Sequence, residues 1–193
     1  MIFGNPEVFA IEAILEPGPD YECVCSNNIA GRIRVWMCGH SVGRFDEPAC
    51  WLSLPCDALA KMARSLDQLW HDSLDDLSPD EIFDRLDYLY FGAHRGRCLT
   101  EDEDWDDEAW NRAASESGDF GRFVFLIHFS EAFDGWKAFL VFPPDADVIA
   151  LVSRHRSPEV LAFRFSAESF RQAVQEFGCW VEQEERRLLT QSD

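Results

Sequence analysis

The amino-acid sequence predicts an α+β fold: a single domain with a mainly antiparallel sheet, an inserted helix pair and a long C-terminal helix. Three patterns predict it. Strand-like alternation fills the first quarter of the chain, helical periodicity follows, and a second group of strands precedes a last helical stretch. Because 193 residues suit one hydrophobic core, we expect residues 1–193 to form one domain.

The first quarter is predicted to form an antiparallel meander. Residues 8–15 and 29–37 read as strands, with a turn at residues 26–28 between them. In the second strand two sets of residues alternate. One set is Ile33, Val35 and Met37, and the other is Arg32, Arg34 and Trp36. Gly39 and His40 then break the chain before a short run at residues 41–46.

Two amphipathic helices are predicted next. The first follows Asp57 as its candidate cap, and its apolar stripe consists of Leu59, Met62, Ala63, Leu66, Leu69 and Trp70. The second begins at Ser78, which is followed by Pro79 and Glu81 in a capping-box arrangement, and Gly92 is its expected end. Since few residues join them, we expect an antiparallel pair packed against the sheet.

The middle of the chain contains an acidic stretch and an apolar run. Residues 98–118 are predicted to be a loop or a marginal helix. Residues 123–129 are apolar on both alternating faces, which is typical of a central strand covered on both sides or nearly so. Asp134 and Gly135 predict a hairpin turn into a strand at residues 136–142, because both tolerate positive φ.

The last quarter is predicted to contain two strands and a helix. The strands lie at residues 147–152 and 160–165, and Ser166 is the candidate cap of the long C-terminal helix. The buried stripe of that helix is expected to comprise Phe170, Ala173, Val174, Phe177 and Val181.

Composition limits the function classes. A formal charge of −19 repels nucleic-acid phosphates and anionic lipid headgroups, so we expect neither nucleic acid nor a membrane as a partner. No signal peptide is evident at the start, and no apolar run approaches the roughly 20 residues of a spanning helix. Seven cysteines, an odd and scattered number, predict reduced thiols in a cytoplasmic protein rather than a disulfide framework.

Candidate chemical sites are weak. Cys23, Cys25, Cys38 and His40 have the ligand types of a zinc site, but a C-x-C pair lacks the usual knuckle spacing, so we expect no metal and no cofactor. His128 beside Ser130 is the one candidate base for a hydrolase or transferase. Glu131 and Asp134 are interpreted as solvated turn residues. Because nucleotide-loop and metalloprotease motifs are also lacking, the sequence favours a protein without enzymatic activity.

Several stretches together carry a family resemblance. They read IFGNPEVFAIE at 2–12, GRIRVW at 31–36, GRFD at 43–46, LDQLW at 66–70, FDRL at 83–86 and FSEAFDGWK at 129–137. In this order they resemble the immunity protein 42 family of bacterial polymorphic toxin systems. The resemblance implies a cytoplasmic α+β protein that binds and neutralises the toxin domain encoded beside it, without catalysis.

The residues favour a binding function with a basic partner. We expect the cognate toxin domain to carry a basic surface, because an acidic protein associates faster with it. The predicted partner-binding residues form the most acidic segment of the chain, around an aromatic side chain: Glu101, Asp102, Glu103, Asp104, Trp105, Asp106, Asp107 and Glu108. Two alternatives remain open, the hydrolase or transferase using His128 and an acidic regulator that mimics nucleic acid.

Overall fold

In the computed structural model of the protein, residues 1–16, 29–46, 50–91, 120–126, 129–154 and 157–191 are described. Within these ranges the strands form two sheets, and every strand pairing is antiparallel. The described residues also form three α-helices, including a long C-terminal one. The predicted α+β class is therefore confirmed, with the strands divided between two sheets.

The first sheet is the predicted meander with two additional strands, at residues 2–5 and 50–51. Its strands are β1 (Ile2–Asn5), β2 (Phe9–Leu15), β3 (Ala30–Met37), β4 (His40–Val42) and β5 (Cys50–Trp51). They are ordered β1-β2-β3-β4, and β5 also pairs with β3. Sequence patterns did not predict β1. It is short and contains Gly4 at φ 88°, where an added Cβ would lie 2.8 Å from the Cβ of Ala173.

The second sheet has the order β6-β7-β8. Its strands are β6 (Trp136–Val141), β7 (Val148–Arg154) and β8 (Val160–Phe165), which confirms the strands predicted at residues 136–142, 147–152 and 160–165. Residues 142–147 connect β6 to β7, and Asp145 adopts φ 56° there. The hairpins of this sheet are thus β6–β7 and β7–β8.

The helices are α1 (Ser53–Arg64), α2 (Pro79–Phe91) and α3 (Ala167–Gln191). The prediction that Asp57 caps α1 is wrong: the N-cap is Leu52, which makes no side-chain cap hydrogen bond. Leu52 is fully buried, and its N–H donates to the carbonyl of Ile29 at 2.9 Å, so β5 runs directly into the helix. After Arg64, the remaining apolar stripe continues through a 3₁₀ turn at Leu66–Gln68.

The caps of α2 and α3 are confirmed. The backbone N–H of Ser78 donates to the Glu81 carboxylate at 2.8 Å, and the N–H of Glu81 donates to Ser78 Oγ at 3.4 Å. The N–H of Ser169 donates to Ser166 Oγ at 3.0 Å. The inserted helices do not pack mainly on each other, since α1 lies on α3 and α2 lies beside β8 and a 3₁₀ turn at Phe120–Phe123.

The prediction of a central strand at residues 123–129 is wrong. Val124 makes one isolated bridge to Phe139, and Leu126 leaves the strand conformation at φ 69°. Phe123 and Phe125 are fully buried, so the apolar run correctly indicates burial although not conformation. Residues 127 and 128 lie outside the described ranges.

The predicted hairpin turn at Asp134 and Gly135 is also wrong. A 3₁₀ turn at Glu131–Phe133 precedes it, and Ser130 Oγ accepts from the N–H of Ala132 at 3.3 Å. Asp134 adopts φ −58° and ψ −24°, which is right-handed helical. The local serine cap therefore competes successfully with the turn that the Asp-Gly pair favours in isolation.

The second sheet forms the middle layer of the molecule. Phe139 of β6 contacts Phe83 of α2, with ring centroids 5.3 Å apart. Phe165 of β8, on the opposite side by register, contacts Phe9 of the first sheet at 4.8 Å. Phe170 of α3 joins this contact, with its ring 4.9 Å from that of Phe9. One core thus joins both sheets and all three helices.

Candidate functional surface

Most of the residues that the sequence singles out for function lie outside the described ranges. The predicted partner-binding residues Glu101, Asp102, Glu103, Asp104, Trp105, Asp106, Asp107 and Glu108 are among them. So are His128 and two of the candidate zinc ligands, Cys23 and Cys25.

The other two candidate zinc ligands are engaged locally. Cys38 Sγ lies 3.3 Å from the carbonyl oxygen of Arg164, and His40 Nδ1 lies 3.1 Å from the carbonyl oxygen of Cys38. The described residues contain no group of three or more side chains suited to hold a metal ion. Glu131 and Asp134 are both exposed, at the two ends of a 3₁₀ turn.

The described helices include none that is long and apolar enough to cross a membrane. Their long member, α3, instead packs one apolar stripe onto the first sheet. Phe3 contacts Phe177 and Trp180 of this helix at centroid distances of 5.6 and 5.3 Å. This leaves the opposite side of the first sheet for other contacts.

We call that opposite side the open face; it comprises Ile2, Glu12, Ile14, Arg32, Arg34, Trp36 and Trp51. The register places Ile2 and Arg34 on either side of Glu12, and it places Arg32 opposite Ile14. Trp51 lies opposite Ala30, which has the same orientation in β3 as Arg32. Sequence alternation predicted the two sides of β3, but it did not distinguish a covered side from one available to a partner.

Glu12 organises the middle of the open face. Its carboxylate accepts hydrogen bonds from Arg34 Nε at 2.7 Å and from Trp36 Nε1 at 2.8 Å. Burial raises the pKa of Glu12, but the hydrogen bonds from Arg34 and Trp36 and the Arg34 charge outweigh it, so the net pKa is lowered. The carboxylate is therefore held ionised between two fixed donors.

A second ion pair extends the open face toward β5. Arg32 donates to both carboxylate oxygens of Glu16, through Nε and through its terminal nitrogen. The hydrogen bond to Glu16 is the main reason that the pKa of Arg32 is raised. Glu16 is largely buried, with 8% of its side chain exposed, whereas 34% of the Arg32 side chain is exposed. The cationic partner thus lies nearer to solvent.

Arg34 is also held by two aromatic rings. Its guanidinium carbon lies 4.7 Å from the centroid of Trp36 and 4.6 Å from that of Phe45. Stacking of this kind restricts the side chain to one position over the sheet. Together with the Glu12 contact, it makes Arg34 a fixed group on an otherwise open surface.

A separate acidic surface lies on the connection between α1 and α2. Asp67, Asp72, Asp75 and Asp76 are all exposed. Asp75 accepts a hydrogen bond from Trp70 Nε1 at 3.0 Å. Within the described residues, none of these four forms an ion pair with a cation. Sequence reasoning overlooked this surface because its acids are interspersed with apolar residues.

Comparison with known proteins decides the family. A family model described as Immunity protein 42 matches residues 1–180. This chain belongs to the immunity protein 42 family. The match covers both sheets and most of α3, so it includes the open face and the acidic connection.

A solved structure has a similar fold. The crystal structure of CdiI from Burkholderia dolosa AUO158 aligns with a TM-score of 0.60 and 18% sequence identity, covering 91% of this chain and 97% of that chain. At that identity the likeness concerns the fold. No curated protein matches the chain in sequence.

Membership of the immunity protein 42 family gives the function at the level of class. The chain is a toxin immunity protein, which binds and neutralises a cognate toxin domain. The resemblance to this family is confirmed, and so is the toxin-neutralising function that it implies.

Proposed function

We propose that this immunity protein 42 member neutralises its toxin in the cytoplasm by stoichiometric binding, without a catalytic step of its own. The observation that carries the proposal is the family match over residues 1–180. An inhibitor of this kind must remain bound while the toxin is present. Affinities near 1 nM, about −12 kcal/mol, meet that requirement.

The partner surface in this proposal is basic. A chain of net charge −19 attracts a cationic protein, and the attraction acts over a screening length of about 8 Å at physiological salt. The acidic connection between α1 and α2 supports the proposal, because its carboxylates have no cationic partner among the described residues. We expect residues 101–108 to add further negative charge to the binding surface, because seven of these eight residues are acidic.

Co-expression tests the binding mechanism. The toxin domain encoded beside this chain is produced with and without the immunity protein, and growth is recorded at graded ratios of the two. Rescue that requires about one immunity protein per toxin, with a 1:1 complex on size exclusion, is the expected result. Full protection at a small fraction of equimolar amount would contradict inhibition by binding alone.

Charge-matched variants test the basic partner. Asp67→Asn, Asp72→Asn and Asp76→Asn together remove three charges from the acidic connection. The control removes three exposed charges elsewhere, through Asp145→Asn, Asp147→Asn and Glu159→Gln. We expect the first variant to associate with the toxin domain more slowly and with a weaker dependence on salt than the control. Equal association rates at two salt concentrations would exclude the acidic connection from the encounter.

Residues 101–108 require their own measurement. Replacing their acids by amides should slow association, whereas Trp105→Ala should speed dissociation if its side chain is an interface anchor. Surface plasmon resonance separates the two effects. Unchanged rates for both variants would remove this segment from the binding site.

A further inference from the structure

The open face exposes large apolar side chains in a regular array. Ile2 is 52% exposed, Ile14 is 37% exposed and Trp51 is 44% exposed. They come from β1, β2 and β5, and their positions in the register place them around the two ion pairs of this sheet. Adjacent apolar groups on one sheet face are a common mark of a protein–protein contact.

Arg34 has hydrogen-bond donors left for a partner. Among the described residues it donates only through Nε, to Glu12, so its two terminal NH2 groups have no acceptor. Its positive charge is already balanced by Glu12, and its position is fixed by Trp36 and Phe45. Such a group matches neutral acceptors, and binding them costs little conformational entropy.

The net charge of the chain favours some binding partners of the open face over others. A second copy of the chain carries the same net charge of −19, so electrostatic repulsion opposes self-association. Nucleic acid is opposed by the same charge. A toxin domain with a basic periphery is attracted, and it can place apolar side chains and carbonyl oxygens over the balanced ion pairs. Arginine and tryptophan are also the residues most enriched among interface hot spots.

We infer that the open face of the first sheet is a contact surface for the cognate toxin domain, with Arg34 in its middle and Trp51 at its β5 edge. The toxin surface that fits it is apolar, with main-chain or side-chain carbonyl oxygens positioned to accept from Arg34. This inference rests on the proposed function and assigns the partner contact to named residues. The acidic surfaces would then act mainly on association, and the open face on dissociation.

Three variants test the inference. Trp51→Ala removes an exposed ring, and Arg34→Lys keeps the charge beside Glu12 while removing the terminal guanidinium donors. The matched control is Tyr88→Ala. Tyr88 is 53% exposed and belongs to α2, which packs on the side of the second sheet away from the first sheet. The probe is the toxin domain encoded beside this chain, released from the co-expressed complex by denaturant and refolded. Thermal unfolding confirms that each variant is folded.

We expect Trp51→Ala to weaken toxin binding about 30-fold through faster dissociation, and Arg34→Lys about tenfold. Tyr88→Ala should remain within about twofold of the wild type, as expected of a residue outside the interface. If folded Trp51→Ala and Arg34→Lys both bind as the wild type does, the inference is overturned while neutralisation by the wild type still supports the proposed function. Failure of the wild type itself to bind or protect refutes the proposed function instead.

Sedimentation equilibrium tests whether a second copy of the chain binds the open face instead. We expect the free chain to show the same mass with and without Trp51→Ala. A wild-type dimer that Trp51→Ala converts to a monomer would assign the open face to self-association and overturn the inference.

Discussion

The two sheets are built from the same antiparallel pairing but differ in how they are covered. In β7 of the second sheet, residues 148–153 are all buried, whereas in β3 of the first sheet buried and half-buried residues alternate from Gly31 to Met37. The difference follows from their layers. The second sheet lies between α2 and the first sheet. Among the described elements, α3 and the second sheet both pack on the same side of the first sheet.

This difference separates stability from binding. Side chains of the second sheet are surrounded by other side chains, so their loss leaves cavities. The exposed side chains of the first sheet, Ile2, Ile14 and Trp51 among them, lie on the open face, where their loss leaves no enclosed cavity. We therefore expect substitutions in the second sheet to alter the free energy of unfolding, and substitutions on the open face to alter partner binding.

The largest expected contrast concerns one side chain from each sheet. Phe139→Ala removes a fully buried ring packed on Phe83, and we expect the free energy of unfolding to fall by about 4 kcal/mol. Ile14→Ala removes a side chain that is already 37% exposed, and we expect a loss below about 1 kcal/mol. Urea denaturation measures both. Similar losses would mean that the open face is covered in solution.

A smaller contrast concerns the ion pairs. Lys137 Nζ of β6 lies 2.7 Å from the carboxylate of Asp87 in α2, and Asp87 is fully buried. Asp87→Asn leaves the lysine beside a neutral group, and we expect a loss of about 3 kcal/mol. Glu12→Gln alters the more exposed pair with Arg34, and we expect a loss below about 1 kcal/mol at pH 7. Equal losses of unfolding free energy from the two substitutions would contradict the idea that the two sheets are covered to different extents.

The smallest expected effect is the dependence of the Glu12 contribution on pH. Because the pKa of Glu12 is lowered by folding, its contribution is present above the ordinary value of 4.5 and is lost as the pH falls through the lowered pKa. The stability difference between wild type and Glu12→Gln should therefore shrink on acidification from pH 7. Urea midpoints across this range provide the measurement. A stability difference between the two proteins that grows as the pH falls below 4.5 would show that folding raises the pKa of Glu12 instead.

Prediction from sequence succeeded where short-range chemistry decides the structure. The capping box from Ser78 to Glu81 and the cap at Ser166 depend on neighbours within one helical turn, and both are present. The alternation of β3 likewise predicted which residues face the core. Residues 123–129 were misjudged because an apolar run specifies burial, and a 3₁₀ turn with a single bridge buries Phe123 and Phe125 as completely as a strand would.

The family was predicted correctly from the resemblance in sequence. The basic surface of the partner, expected from the net charge, stays a prediction. The open face required the register, because Ile2, Trp51 and Arg34 are distant in the chain and come to lie on one side of the sheet only when β1, β2, β3 and β5 pair. Nothing local to these residues distinguishes them from others of the same type.

The sequence by itself determined the α+β class, most of the strands, two helix caps and membership of the immunity protein 42 family. These depend on periodicity, on hydrogen bonds between near neighbours and on composition. The tertiary structure decided the division into two sheets, the partners of α1 and α2, and the side of the first sheet that remains open. Those outcomes depend on contacts between residues far apart in the chain, where competing arrangements with the same local pattern differ only in how well their surfaces pack.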